Sequence, residues 1–118
     1  MDELNFQPYK SKFRLARPSF TTVIHPVREK LGLTWLEYGV FDSIHHLSHS
    51  DRQHPYCTMS KKQLAQFLGV SERFVYKAIK KGEAKGIIEK NDRGDLRTTE
   101  HWTQLVYLYS PKSRRERL

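Results

Sequence analysis

Cysteine is nearly absent. Cys57 is the single one in 118 residues, so no intrachain disulfide can form and the fold must rest on burial and hydrogen bonding. A lone thiol also fits a reducing compartment. Long apolar runs are missing too: none approaches the roughly 18 residues of a membrane span. The opening MDELNFQPYK lacks the basic-then-apolar order of a secretory leader, so the expected location is cytoplasmic. Hydrophobic residues make up only 37% of the chain, enough for one modest core and one domain. Nor is there a glycine-rich phosphate loop, a carboxylate cluster spaced for metal-assisted hydrolysis, or a strained nucleophile turn. The expectation is a protein that is not an enzyme and needs no cofactor.

Acidic side chains are in deficit. Thirteen Asp and Glu stand against 21 Lys and Arg, giving a net charge of +8 and a pI near 9.7. That balance suits a nucleic-acid partner or an anionic membrane surface, and placement decides between them. Arg73, Lys77, Lys80, Lys81 and Lys85 fall within one short stretch, and Lys90, Arg93 and Arg97 follow it.

Residues 60–90, SKKQLAQFLGVSERFVYKAIKKGEAKGIIEK, read as helix, tight turn, helix and the start of a strand. Ser60 and Gln63 have capping-box spacing, and Leu64, Ala65, Phe67 and Leu68 supply an apolar stripe. Gly69 stands where a helix ends in a left-handed residue. Ser71 offers a second N-cap with Glu72 near the positive end of the helix dipole, and Val75, Ala78 and Ile79 recur on one buried face. Gly86 ends this second helix, residues 87–90 begin a strand, and residues 91–95 (NDRGD) form a polar turn.

Upstream, residues 20–25 (FTTVIH) have the β-branched content of a short strand, and residues 27–31 form a helical turn closed by Gly32. Thr34 caps a helix reaching about Ser48, with Glu37 completing a capping box. Leu36, Val40, Phe41, Ile44 and Leu47 are its expected core stripe, while Trp35 and Tyr38 lie on the opposite face with Asp42, His45, His46 and His49. Two aromatics there need cover. The candidates are the amino-terminal arm, the segment around Trp102, and the same helix of a second subunit, with a homodimer favoured. Residues 104–109 (QLVYLY) have strand composition and are expected to pair with residues 87–90; the alternative is that residues 96–99 take that place and Trp102 sits in a following turn.

His45, His46, His49, His54 and Cys57 are the candidate ligands of a zinc site, because His45 and His49 share a helix face at i, i+4 and a following loop could bring His54 and Cys57 near. They lack the paired short-spacing ligands of a structural finger. A buried structural cysteine in a short strand, with solvated histidines, is the preferred reading, and no metal is expected.

The 60–90 stretch resembles the helix-turn-helix of DNA-binding proteins, with Ala65 at the helix approach, Gly69 in the turn, and Val75 and Ile79 locking the second helix. The order of elements that follows looks like a winged helix. The implied architecture is α+β: about three core helices and a small antiparallel sheet, the wing. Residues 1–19 would be a basic aromatic arm, 20–109 the domain and 110–118 a basic tail. From residue 20 to 109 the order also looks similar to winged-helix domains of phage and plasmid replication proteins, of primosomal initiation proteins, and of small transcriptional repressors.

The resemblance implies double-stranded DNA as partner, with helix 71–85 in the major groove. Ser71, Glu72, Arg73, Tyr76, Lys77 and Lys80 cannot face Val75 and Ile79 and should meet DNA. Arg73 is the best candidate for reading a base, through a guanidinium fork to guanine. Lys77, Lys80, Lys81 and Lys61 suit phosphate, and Arg93 suits phosphate or an adjacent minor groove. Transcriptional regulation is the first functional reading and replication initiation the second. A protein-interaction module using Trp35 and Tyr38 is the reading from another class.

Overall fold

The computed structural model of the protein describes residues 22–49 and 53–110. The arm at 1–19 and all of the tail beyond Ser110 lie outside the described residues. Within them the order is α1 (His25–Leu31), α2 (Trp35–Ser48), α3 (Lys61–Leu68), α4 (Glu72–Ala84), β1 (Ile88–Lys90), β2 (Leu96–Thr98) and α5 (Glu100–Tyr109). The fold is α+β, with five helices among the described residues rather than about three. Its sheet has two antiparallel strands, with Ile88 opposite Thr98, Glu89 opposite Arg97 and Lys90 opposite Leu96. None of these helices is long and apolar enough to cross a membrane.

Both predicted capping boxes are present. Thr34 Oγ1 accepts from the Glu37 amide at 3.2 Å while the Thr34 amide donates to Glu37 Oε1 at 2.8 Å. Ser60 and Gln63 repeat the exchange at 3.1 and 3.0 Å, and the Ser71 hydroxyl accepts from the Phe74 amide at 3.0 Å. Each cap satisfies amides that have no partner inside the helix, which fixes where α2, α3 and α4 start. Gly69, at φ 74°, closes α3, and its amide and that of Val70 both donate to the Ala65 carbonyl. Only three residues then separate α3 from α4.

Three expectations fail, each for a physical reason. Residues 22–25 form no strand: Ile24 is the N-cap of α1, and Pro26 in the first turn supplies a φ already suited to a helix. Residues 104–109 are helical. The place beside β1 is held by β2, whose Leu96 also forms an isolated bridge with Cys57, so both edges of β2 are occupied. As a helix, the segment instead buries Trp102 and Leu105, three apart, on one face. Finally Leu36 is 59% exposed, whereas Tyr38 is buried with its ring 5.0 Å from that of Trp102. The core stripe of α2 therefore runs through Tyr38, Val40, Phe41, Ile44 and Leu47.

The core is one cluster drawn from all five helices and the hairpin. α4 crosses α2 and β1 closely at Gly82, where a Cβ would stand 2.8 Å from both Phe41 Cε1 and Ile88 Cγ1. Phe41 and Ile88 are themselves buried and have little room to withdraw. In Gly82→Ala the gain in helix propensity, about 1 kcal/mol, opposes an overpacking cost of about 1–3 kcal/mol. The expected net result is a loss of about 1 kcal/mol in urea unfolding, the reverse of the gain that an open helical glycine would give.

Candidate nucleic-acid interface

The face of α4 follows from its burial pattern. Val75, Ala78, Ile79 and Gly82 are buried. With about 100° between successive residues, Glu72, Arg73, Tyr76, Lys77 and Lys80 fall within an arc of about 140° on the other side. All five are exposed, Tyr76 to 54%, and Ser71 is exposed at the N-cap. Arg73, Lys77 and Lys80 make no ion pair among the described residues.

Four other cations of the domain are committed to carboxylates, while Lys30, Lys61, Lys62, Lys85 and Arg93 make no ion pair among the described residues. Arg28 meets Glu29, Lys90 meets Glu83 at 3.3 Å, and Arg97 pairs with Glu89 while its guanidinium lies 4.7 Å from the Tyr56 ring centroid. Lys81 belongs with these rather than with the α4 face. Its Nζ donates to Glu37 Oε1 at 2.8 Å and to the Gly32 carbonyl at 2.9 Å, tying α4 to the start of α2. Burial opposes the Glu37 carboxylate, but the bonds from Lys81 and Thr34 outweigh it and hold the carboxyl below its ordinary range.

The remaining predicted positions lie on separate elements. Lys61 is half-buried at the first position of α3. Arg93 is exposed in the turn between the strands, where Asn91 Oδ1 accepts from the Arg93 and Asp95 amides, both at 2.9 Å. The asparagine thus holds the turn's shape and leaves the Arg93 side chain outside it. Of the proposed interaction face, Trp35 is 64% exposed with its ring 5.0 Å from His25, but Tyr38 is only 1% exposed and offers nothing to a partner.

Cys57 is 1% exposed. Burial, reinforced by nearby Asp95, pushes its thiol up to about 11, so it stays protonated and serves as core. Two of the histidines, His45 and His54, are less solvated than the sequence suggests, while His46 and His49 are exposed. His54 Nε2 lies 3.2 Å from Asp95 Oδ2, and His45 Nδ1 lies 2.7 Å from Thr98 Oγ1, linking α2 to β2. Among the described residues no three His, Cys, Asp or Glu side chains are grouped to hold a metal ion.

Burial, with smaller contributions from His49 and His46, lowers the His45 pKa to about 4; Asp42 acts weakly the other way. The folded state therefore resists protonation that the unfolded chain accepts near 6.5. Stability from this site is fully present above about pH 6.5 and is lost as pH falls towards 4. The expected loss is on the order of 2 kcal/mol after allowing for partial solvation. Urea melts at pH 7 and 4.5 should show a drop in the wild type that is clearly smaller in His45→Gln.

The sequence reading missed an apolar groove of about 260 Å³ walled by Val23, Trp35, Leu36, Val40, Leu68 and Val70. Its signal was Leu36, an apolar residue at the margin of the α2 stripe. Comparison with protein-family models, curated proteins and solved structures finds no significant match to this chain.

Proposed function

We propose that the chain is a winged-helix DNA-binding protein that places α4 in the major groove of duplex DNA and regulates transcription by occupying its site. The observation that carries this reading is the contrast in charge placement: Arg28, Lys81, Lys90 and Arg97 have carboxylate partners, while Arg73, Lys77 and Lys80 share one exposed face of α4 without an ion pair among the described residues, with Glu72 the one acid on that face. A helix of about 12 Å overall diameter matches the major-groove width. Arg73 is assigned the base contact, Tyr76 a base or phosphate, and Lys77, Lys80, Lys61 and Arg93 phosphates. Ser71 and Glu72 flank the reading end. Lys81 is assigned to positioning α4 through Glu37.

The test is a fluorescence-anisotropy titration of duplex DNA at several salt concentrations. If about six phosphates are engaged, the log-log slope should be near −5. A slope near zero would sink the electrostatic model. Selection of bound genomic fragments then separates an operator from a replication origin.

A second reading, a protein-interaction module, is favoured by the exposure of Trp35 and Leu36. These two residues stand on α2, apart from the α4 face, so both readings can hold in one protein.

A further inference from the structure

The apolar groove between the first half of α2 and the α3–α4 turn has a physical claim to an occupant. Trp35 and Leu36 are 64% and 59% exposed on its rim. At about 260 Å³ it falls just below the range of roughly 300–1,000 Å³ typical of small-molecule sites, and it suits one or two protein side chains. Its lining residues carry no charge, and the Ser43 hydroxyl is the one polar side-chain group among otherwise apolar walls and the Trp35 indole, so the groove favours an apolar occupant.

The chain itself points to the occupant. Val23 forms part of the wall, and it is the second of the described residues, so residues 1–21 precede it directly in the chain. Phe20 is three residues from Val23, within about 10 Å even in an extended chain, and Phe13 within about 35 Å. Residues 13–20, FRLARPSF, bring two phenylalanines with only basic charges between them. Tethering makes their local concentration of order millimolar, so modest apolar contacts suffice. A second copy would have to overcome the meeting of two chains of +8 each, a cost the tethered segment does not add.

We propose that residues 13–20 of the same chain dock in this groove, with Phe13 and Phe20 as anchors against Trp35, Leu36 and Val70. Val70 belongs to the turn that leads into α4, so docking braces the start of that helix. The inference concerns the groove alone and stands whether or not α4 binds DNA.

The two tryptophans supply the readout, because Trp35 is exposed while Trp102 is 1% exposed and serves as an unquenched reference. Acrylamide quenching of the full chain should find Trp35 shielded. In Phe13→Ser/Phe20→Ser, and separately in Leu36→Asp, the quenching constant should rise about twofold as half of the free indole surface is uncovered. Circular dichroism and the monomer mass of 14.0 kDa should stay unchanged. Equal quenching in wild type and variants, or a wild-type Trp35 that quenches like free indole, overturns the proposal. Shielding that disappears on dilution together with a doubled mass in sedimentation makes a second copy the occupant and overturns it as well.

Discussion

Arg73→Ala/Lys77→Ala is expected to weaken duplex binding by about 30- to 1,000-fold while leaving the fold intact. A bidentate arginine contact to guanine contributes about 1–3 kcal/mol of discrimination, and losing a phosphate contact adds roughly another 1 kcal/mol. Both side chains are exposed on α4 and bonded to nothing among the described residues, so stability should change by less than about 0.5 kcal/mol. The two halves of the effect separate in the single variants. Arg73→Ala should relax preference at one base pair, whereas Lys77→Ala should weaken all sequences alike and reduce the salt slope by about 1. Lys81→Ala provides the contrast, because it breaks the tie to Glu37 and Gly32 and should lower stability as well as affinity. An affinity unchanged in the double variant would remove α4 from the interface and leave the exposed rim of α2 as the working surface.

The parts of the fold that were legible in the sequence are those set by short-range chemistry. Thr34 with Glu37, Ser60 with Gln63, and Ser71 each announced a helix start, and Gly69 announced a stop; all depend on atoms within a few residues. The α4 face was legible for the same reason, since its period alone sorts Val75, Ala78 and Ile79 from Arg73, Lys77 and Lys80. Lys81 was not, because its partner Glu37 is brought to it by tertiary packing. The carboxy-terminal helix was missed because residues 104–109 have the composition of a strand, and strand preference depends on having an edge to join. The place expected for them beside β1 is taken by residues 96–98, where Leu96 pairs with Lys90 and also bridges Cys57. One error then produced a second. With residues 104–109 read as a strand, the segment around Trp102 was only one of three candidate covers for Tyr38 and a second subunit was favoured over it, whereas Trp102 provides the cover.

Trp102→Ala measures that covering directly. The side chain is buried, with ring centroids 5.0 Å from Tyr38 and 6.1 Å from Phe41, so truncation removes a large apolar surface and leaves a cavity between α5 and α2. Such replacements cost about 3–5 kcal/mol, a large fraction of the roughly 5–15 kcal/mol available to a domain. The expected shift in the thermal midpoint is on the order of 10–25 °C. It is best followed by far-ultraviolet circular dichroism, since the variant loses one of its two tryptophans. A Trp102 lying in a surface turn would instead change stability by about 0.5 kcal/mol or less. The same substitution in a Tyr38→Ala background tests the contact rather than the cavity alone. Aromatic pairs couple by about 0.5–1.5 kcal/mol, so the double variant should lose less than the sum of the singles by that amount. Strict additivity would mean that the two rings are buried side by side without stabilising one another, and that α5 covers α2 through Leu105 and its neighbours instead.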